Sequence, residues 1–379
     1  MTRKTHFDYI IIGNGLAGLQ LALALANDSF FKDKKIALID KSKKNTNNKT
    51  WCFWEKGIGK WDHLVAKTWK NANFHSSKKT LNLKLEPYQY KMLRSIDFYN
   101  EVISILSKKE HFTFIIDEII STEEHITTIH SHLNYYTANH IFDSRIPEDF
   151  CSNNKSINII QHFKGYIIET EKKVFNPETF TMMDYRIKDG NQTSFTYVLP
   201  LSENKALVEF TYFNKEKVKE EVYDSYLKKY ISELLNIEDY NIIETEKGNI
   251  PMTTFSFKKY STKNVTKIGT AGGWVKGSTG YSFKHTEKKV SKIIENLKHN
   301  QLPSLGLIKK KFQFYDKVFL KVLHDENEKG EWIFEQFYSK NSIETMFRFL
   351  DEESKLREEL AIMGSLFSPA FLKAFFKTL

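Results

Sequence analysis

The segment at residues 8–26 constrains the fold of this chain more than any other. Residues 9–12 form a short apolar run of strand-forming side chains, and an apolar helical stretch follows a glycine-rich turn. A strand that is apolar on both faces is typical of a parallel sheet covered by helices. In this context the spacing Gly13-x-Gly15-x-x-Gly18 predicts a site for the phosphates of a dinucleotide.

Each glycine of the motif has a predicted task. Gly13 permits the tight turn, Gly15 lets the backbone approach a pyrophosphate, and Gly18 lets the helix pack close to the strand. The N-terminus of the helix, at Leu16 and Ala17, then offers free N–H groups and the positive end of its dipole to the phosphates.

A second predicted strand, at residues 35–40, ends in Asp40. An acidic residue roughly 20 positions after the last glycine usually binds the ribose hydroxyls of the adenosine, and Asp40 is predicted to do so. The alternative is a βαβ unit that binds no ligand. The motif does not separate FAD from NAD.

Composition excludes several classes of protein. Two cysteines, Cys52 and Cys151, are too few for a disulfide framework and for most structural zinc sites. The net charge of +9 comes from scattered lysines without a nucleic-acid-binding module, so no nucleic-acid partner is expected. The pair His130-x-His132 fits a polar strand better than a metal site, and no metal is expected. We see no signal peptide and no membrane-spanning run, which indicates a cytoplasmic protein.

The middle of the chain is predicted to be mainly β, and the part from residue 286 onward mainly helical. Strand-like segments at hairpin spacing predict an inserted antiparallel sheet, followed by a helix at 217–235 and a returning strand at 265–269. The predicted strands before that helix are 113–120, 126–130, 139–142, 157–163, 166–170, 180–185, 193–199 and 206–213.

The last 20 residues are apolar with two late lysines. Ser368 and Pro369 suit the N-cap and first residue of a short helix. Such a helix lies in a membrane interface or docks on the protein core, and its periodicity does not distinguish the two.

Beyond the glycine motif, seven further blocks follow in a fixed order along nearly the whole chain. Together with that motif they resemble the flavin-dependent lycopene cyclases, the bacterial type that makes β-rings. The blocks are 49–54, 142–145, 161–166, 175–185, 199–211, 269–282 and 348–350. The sequence departs from the family at Phe210, where a second glutamate is common, and also at Cys52 and Gly277. The first departure argues against a mechanism with two adjacent glutamates.

The resemblance implies an α/β fold with a Rossmann-like FAD-binding domain of the glutathione-reductase type, an inserted antiparallel β-sheet domain for the substrate and a helical C-terminal region. The expected FAD-binding domain is discontinuous, at 1–75, about 130–160 and 262–290. The expected substrate domain covers about 76–129 and 161–261, and the helical region covers 291–379.

The resemblance also implies a reaction, the cyclisation of the linear ends of lycopene through γ-carotene to β-carotene, without net redox change. An alkene is a very weak base, so its proton donor must be a neutral acid, and burial in an apolar channel raises the pKa of such an acid. Glu209 interrupts an apolar strand and shares a face with Leu207 and Thr211 by alternation. It is the predicted catalytic acid; the alternative is a strand glutamate that faces solvent.

Reduced FAD is the expected cofactor, with NAD(P)H as its reductant, because an anionic ring is a fixed counter-charge for a carbocation. The loop with Gly269, Gly272 and Gly280 is expected to bring its backbone against the flavin. Asp143 and Arg145 end a strand and are expected to pair beside the flavin, to assist proton transfer or to form a structural salt bridge.

Aromatic residues make up 14% of the chain, which suits a long apolar ligand. Aromatic faces attract a cation by about 0.5–2 kcal/mol each. The predicted substrate channel consists of Trp51, Phe53, Trp54, Trp274 and Tyr281. The alternative for each of them is packing in the protein core.

The expected partners are lycopene and other linear carotenoids, the surface of the cytoplasmic membrane, to which the protein would bind peripherally, and other enzymes of the carotenoid pathway. One alternative is an FAD- and NAD(P)H-dependent monooxygenase of related fold. Such enzymes usually carry Gly-Asp where this chain has Gly269 and Thr270. The other alternative is a carotenoid-binding protein without catalytic activity.

Overall fold

The computed structural model describes residues 4–153 and 155–379, so residues 1–3 of the predicted first domain and the side chain of Cys151 lie outside the described residues. The strands are β1 (Lys4–Ile12), β2 (Ile36–Asp40), β3 (Thr50–Lys56), β4 (Val65–Trp69), β5 (Asn71–His75), β6 (Thr80–Lys84), β7 (Tyr88–Arg94), β8 (Phe112–Ile116), β9 (Ile119–Glu123), β10 (Thr128–Ser131), β11 (Tyr135–Asp143), β12 (Asn158–Glu169), β13 (Thr179–Asp184), β14 (Ser194–Pro200), β15 (Lys205–Asn214), β16 (Asn241–Thr253) and β17 (Val265–Lys267). The helices are α1 (Leu16–Asn27), α2 (Ser95–Ser107), α3 (Asp149–Ser152), α4 (Glu220–Glu233), α5 (Phe283–Lys298), α6 (Lys310–Asp325), α7 (Gly330–Lys340), α8 (Ile343–Leu350), α9 (Leu356–Ser365) and α10 (Pro369–Thr378).

The first sheet has the order β8-β2-β1-β11-β10-β9, and β17 also pairs with β11. The pairs among β8, β2, β1, β11 and β17 are parallel, whereas β9 and β10 are antiparallel. Every residue of β2 is buried, as a parallel strand covered on both faces requires. Apolar side chains of α1, α2 and α5 cover one face. The predicted Rossmann-like sheet is present.

The turn after β1 needs glycine at two positions. Gly13 has a φ of +99°, which other residues rarely adopt, and a Cβ there would lie 1.9 Å from Ser144 Oγ. A Cβ on Gly18 would lie 2.0 Å from the carbonyl oxygen of Gly13. The tight turn and the close packing of α1 on β1 therefore depend on these two glycines, as the sequence predicts.

The second sheet has the order β16-β12-β15-β14-β13-β5-β6 and is antiparallel except between β13 and β5. One face packs against α4 through aromatic and aliphatic side chains. The other face packs against the C-terminal helices. Because both faces are covered, all the inner residues of β15 are buried.

A third, three-stranded sheet has the order β3-β7-β4. None of its strands was predicted. Alternate residues of β3 point to different cores. Trp51 and Phe53 pack with the first sheet and its helices, whereas Trp54 packs with the second sheet and the C-terminal helices. This small sheet therefore contacts both larger parts of the protein.

Strand pairing departs from the predicted domain division in three places. β5 joins the second sheet although residues 1–75 were assigned to the FAD-binding domain. β8, β9 and the start of β10 join the first sheet although 76–129 were assigned to the substrate domain. β12 belongs to the second sheet from residue 158 onward. Short apolar runs indicate a strand but not its partner, which tertiary contacts select.

Individual elements also differ from the prediction. The predicted strands 157–163 and 166–170 form one continuous strand, β12, because Gly165 remains in the ladder. The predicted strand 113–120 is divided into β8 and β9, and β16 was not predicted.

The C-terminal region is helical, as predicted, and ends in α10. Ser368 Oγ accepts a hydrogen bond from the backbone N–H of Phe371 at 3.4 Å, which makes Ser368 the predicted N-cap. Ala370 and Ala374 are buried against the core, while Leu372 and Phe376 are exposed. The helix thus docks by one face and leaves an apolar face uncovered. No helix within the described residues is long and apolar enough to cross a bilayer.

Candidate active site

A continuous cavity of about 770 Å³ extends from the glycine turn, past the inner face of the second sheet, to the C-terminal helices. The predicted site residues that line it are Gly13, Gly15, Leu16, Ala17, Gly18, Trp51, Glu209, Gly269, Trp274, Gly280 and Tyr281. The predicted site residues outside its lining are Asp40, Phe53, Trp54, Asp143, Arg145 and Gly272.

The N-terminus of α1 forms one end of the cavity. Its N-cap is Gly15, which offers no side-chain cap, so the first backbone N–H groups of the helix have no side-chain acceptor. A Cβ built on Gly15 meets nothing within 4 Å, so the space beside it is open. The buried Oδ1 of Asn14 has no hydrogen-bond partner among the described residues. Free N–H groups, open space and a helix dipole suit a pyrophosphate.

Asp40 is already surrounded by donors at the end of β2. Its carboxylate accepts hydrogen bonds from the backbone N–H groups of Asn14 at 2.7 Å and Ser42 at 3.0 Å. Lys44 Nζ lies 3.0 Å from it. These contacts tie the glycine turn to β2, and the predicted bond to a ribose remains a prediction.

The loop after β17 borders the same end of the cavity. Gly269 has a φ of +61°, and a Cβ there would lie 3.2 Å from Ala17 Cβ, so the loop lies directly against the start of α1. Thr279 Oγ1 is buried without a partner among the described residues, and Thr279 lines the cavity. Gly272 instead packs against the carbonyl of Lys267, away from the cavity.

Asp143 and Arg145 form a closed ion-pair cluster. Asp143 Oδ1 accepts from Arg145 Nε at 3.0 Å, and Asp143 Oδ2 accepts from Lys267 Nζ at 2.8 Å. Burial alone would raise the pKa of Asp143, but Arg145 and Lys267 hold it below its usual value. Arg145 also donates to the Ile119 carbonyl at 3.0 Å. Of the three roles predicted for this pair, the geometry favours the structural salt bridge.

Glu209 lies on β15 with its side chain in the apolar middle of the cavity. Leu207 and Thr211 line the cavity beside it, as alternation predicts. Glu209 is 9% exposed, and Thr211 Oγ1 donates to its Oε1 at 2.7 Å. Burial, together with the nearby Glu246 carboxylate, raises the pKa of Glu209 to about 8. At neutral pH this side chain is mainly the neutral acid.

A second carboxylate, that of Glu246 on β16, is partly buried and also lines the cavity. It accepts hydrogen bonds from the backbone N–H of Thr50 at 3.0 Å and from Thr50 Oγ1 at 2.6 Å. Burial raises its pKa. Sequence reasoning missed this residue because β16 was not predicted. The available signal was the pair of carboxylates two positions apart, Glu244 and Glu246, which alternate with exposed neighbours.

Three tyrosines form a hydroxyl network on the wall next to Glu209. Tyr197 is the cross-strand neighbour of Glu209 and donates to Tyr90 Oη at 2.5 Å. The Tyr90 and Tyr281 hydroxyls lie 2.9 Å apart. Burial raises the pKa of all three tyrosines and of Cys52 beside them, so these groups are neutral. Because the hydroxyls bond to each other, the rings present a largely apolar wall to the cavity.

Two of the predicted channel aromatics are core residues instead. The Phe53 ring stacks on Phe283 at 4.6 Å, and the Trp54 ring stacks on Phe347 at 4.5 Å. Trp51 and Trp274 do line the cavity. The far end is formed by aromatics of the C-terminal helices that the sequence did not single out: Phe314, Phe319, Phe334, Phe337, Tyr338, Phe371 and Phe375.

The described residues contain no group of three or more metal-ligating side chains. The profile of the family described as lycopene cyclase protein matches residues 8–375. The chain belongs to this family. The resemblance stated from the sequence is thereby confirmed over nearly its whole length. A comparison of this chain with curated proteins found no match.

Solved structures of similar fold span the whole chain at low sequence identity. A geranylgeranyl bacteriochlorophyll reductase-like protein from Thermoplasma acidophilum has a TM-score of 0.61 at 13% identity and covers 100% of both chains. A flavin-dependent brominase has a TM-score of 0.59 at 12% identity, covering 98% of this chain and 99% of its own. PqsL, a probable FAD-dependent monooxygenase from Pseudomonas aeruginosa, has a TM-score of 0.56 at 9% identity, covering 95% and 100%. These similarities confirm the predicted fold class.

Proposed function

We propose that this member of the lycopene cyclase family is an FAD-dependent lycopene β-cyclase. It converts the linear ends of lycopene into β-ionone rings, through γ-carotene to β-carotene, without net redox change. The observation that carries the proposal is a buried carboxyl group, that of Glu209, in an apolar cavity that continues to the glycine turn after β1. Burial raises the pKa of this group to about 8, which favours its neutral form.

The proton donor in this proposal is Glu209. Its proton adds to the terminal double bond of the polyene, the neighbouring double bond closes the ring onto the resulting cation, and a ring proton is then lost. A donor with a pKa near the working pH is protonated and still transfers its proton effectively. The rings of Tyr90, Tyr197 and Tyr281 exclude water, which would trap the cation as an alcohol.

Residues at the other end of the cavity fit FAD. The N–H groups at Leu16, Ala17 and Gly18 would hold the pyrophosphate, and the loop from Gly269 to Gly280 would contact the rest of the cofactor. When bound and reduced by NAD(P)H, the flavin supplies negative charge to a site of low dielectric constant, where such a charge stabilises a cation strongly.

We also propose that the protein binds the membrane surface through α9 and α10. Exposed apolar side chains here include Phe367, 69% exposed, in the link between the two helices, and Phe376, 71% exposed, on α10. Lys373 and Lys377 on α10 add positive charge, which anionic lipids attract. In this C-terminal region, four apolar residues are both exposed and part of the cavity lining: Met363, Phe367, Leu372 and Phe375. A linear carotenoid in the membrane, or one delivered by another enzyme of the pathway, enters there.

The decisive experiment is anaerobic incubation of the purified protein with chemically reduced FAD and lycopene in liposomes, with chromatography of the products. We expect γ-carotene and then β-carotene, with no consumption of NAD(P)H per turnover. Product that forms only with oxygen and stoichiometric NAD(P)H would favour the monooxygenase. A purified protein that binds lycopene without converting it, and that binds no flavin, would favour the non-catalytic carotenoid-binding protein.

A further inference from the structure

Glu209 and Glu246 stand in one row across the second sheet, with a glycine between them. In the ladder Gly165 of β12 pairs with Glu209 on one side and with Glu246 on the other. Directly paired residues of an antiparallel sheet point to the same face. Neighbouring strands lie about 4.7–4.9 Å apart, so the two glutamate backbones are about 10 Å apart with their side chains over the same cavity.

Gly165 keeps the space between the two carboxyl groups open. A Cβ at this position would lie 3.0 Å from Leu207 Cδ1 and 3.2 Å from Glu209 Cβ, in the gap between the two side chains. Its φ is not in the left-handed region, so the strand conformation does not require glycine. A side chain at this position would instead occupy space on the cavity side of β12.

The two carboxyl groups have unequal surroundings. Glu246 accepts two hydrogen bonds from Thr50, which favour its anion, whereas Glu209 accepts one from Thr211. Each negative charge disfavours the other, so the pair tends to retain one proton, and it resides mainly on Glu209. Two carboxyl groups whose surroundings separate their pKa values are suited to the roles of acid and base.

Other titratable groups face the pair from the packed elements. Glu244 on β16 raises the pKa of Glu246, and Arg94 at the end of β7 lowers it. Lys49 lines the same cavity. On the Glu209 side, the neutral groups are Cys52 and Tyr281.

We propose that Glu246 is the base that removes the final ring proton, a step that rests on the proposed cyclisation. Glu209 gives its proton to the less substituted carbon of the terminal double bond. The π electrons of that double bond form the new C–H bond and leave a tertiary cation on the other carbon. The neighbouring double bond forms the ring C–C bond. Glu246 then accepts a proton from the ring carbon, and the C–H electron pair becomes the ring double bond. One proton enters the substrate and one leaves, so no oxidant or reductant is consumed.

After the reaction Glu246 carries the proton and Glu209 is anionic. Transfer of that proton across the gap above Gly165 restores the starting state, in the direction that the Thr50 hydrogen bonds favour. The pair can therefore turn over repeatedly without exchanging its proton with bulk water at each cycle.

The test compares Glu246→Gln with the wild-type protein under the anaerobic conditions above. We expect kcat to fall by about 10²–10⁴-fold, the usual contribution of a general base, while KM stays within about twofold. The wild-type profile of kcat against pH should be bell-shaped, and Glu246→Gln should lose its acidic limb. Unchanged kcat with both limbs retained would overturn the proposal.

Thr50→Val is a second variant that keeps both carboxyl groups. It removes the Oγ1 donor to Glu246, so the pKa of Glu246 should rise and the acidic limb should move to higher pH. This readout decides the proposal if Glu246→Gln fails to fold or to bind flavin. If Glu246 is the base, its pKa sets the acidic limb, whereas a merely structural residue does not affect that limb. An acidic limb that does not move in Thr50→Val would therefore contradict a basic role for Glu246.

Infrared titration of the protein without flavin or substrate separates this inference from the proposed function. The carboxyl band of protonated Glu209 should titrate at lower pH in Glu246→Gln, because the neighbouring negative charge is gone. An unchanged midpoint would show that the carboxyl groups of Glu209 and Glu246 are not coupled and would contradict the inference. If the wild-type protein forms no ring while the midpoint shifts, the pair is real and the cyclase assignment is wrong.

Discussion

The two ends of the cavity are built in different ways. The proposed nucleotide end is formed mainly by neighbouring residues of the chain, because Gly13 and Gly15 lie in the turn after β1 and Gly18 lies in the first turn of α1. The carboxyl end is assembled from β3, β7, β12, β15 and β16, which are distant in the chain. A site made from one continuous turn is visible in the sequence, whereas a site made across a sheet depends on strand pairing. We therefore expect a substitution at one end of the cavity to leave the function of the other end unchanged.

The largest effect is expected at the carboxyl end. Glu209→Gln removes the proton donor but keeps the shape of the side chain, so kcat should fall by about 10²–10⁴-fold or more. The flavin should remain bound, because the glycine turn is not altered; absorbance of the purified variant measures this. Near-normal turnover would show that another group donates the proton.

A separate loss is expected at the nucleotide end. Gly15→Val places a side chain where the protein has open space, so it should clash with a bound pyrophosphate and not with the fold. We expect FAD affinity to fall by about tenfold or more, which corresponds to about 1.4 kcal/mol, with little change in melting temperature.

The matched control for that variant is Gly364→Val, since this glycine also has nothing within 4 Å of its Cβ but lies on α9. It should bind FAD normally. Full flavin loading of Gly15→Val would contradict the assignment of the nucleotide end.

A smaller effect is expected at the surface where the cavity opens. Phe376→Ser should weaken binding to anionic liposomes by about tenfold, because burying a phenylalanine contributes about 1.5–3 kcal/mol. Sedimentation with liposomes measures this. Leu133→Ser is the control, since Leu133 is 78% exposed on a turn of the first sheet. Equal loss of binding in both variants would argue against a specific role for α10.

The last effect concerns a different quantity, the pH dependence of stability. The pKa of Glu209 is raised from 4.5 to about 8 in the folded state. Between about pH 5 and 8 the folded protein therefore holds a proton that the unfolded chain has lost, and the free energy of unfolding decreases as pH rises. Above about pH 8 this contribution becomes constant.

Urea denaturation of Glu209→Gln across the same pH range checks the assignment. The variant should show a flatter dependence, and its stability relative to the wild type should increase toward pH 8. Parallel curves for the two proteins would mean that the buried Glu209 does not hold its proton in this range.

Sequence patterns predicted what depends on local geometry. The glycine turn needed only the identity of three residues, and the Ser368 cap needed only its position before Pro369. Glu209 was found because a charged residue stood inside an apolar strand, and alternation gave its face correctly.

Contacts between distant strands were not predictable in the same way. The position of Glu246 beside Glu209 depends on the pairing of β16 with β12. The contact of Thr50 with Glu246 depends on the packing of β3 against β16. Phe53 and Trp54 look like ligand-binding aromatics in the sequence, yet neighbouring rings, Phe283 and Phe347, bury them. A one-dimensional pattern shows that a side chain is apolar but not whether its neighbour is another side chain or a ligand.

The opening between α9 and α10 has a consequence for the speed of catalysis. Met363, Phe367, Leu372 and Phe375 belong both to the outer surface and to the cavity wall. In the proposed membrane-bound state, a hydrocarbon would therefore cross no aqueous gap on its way in. Each CH₂ group exposed to water would cost about 0.8 kcal/mol, a prohibitive barrier for a long polyene. Under the proposed function, the supply of substrate would be governed by its lateral diffusion within the lipid and not by its solubility in water.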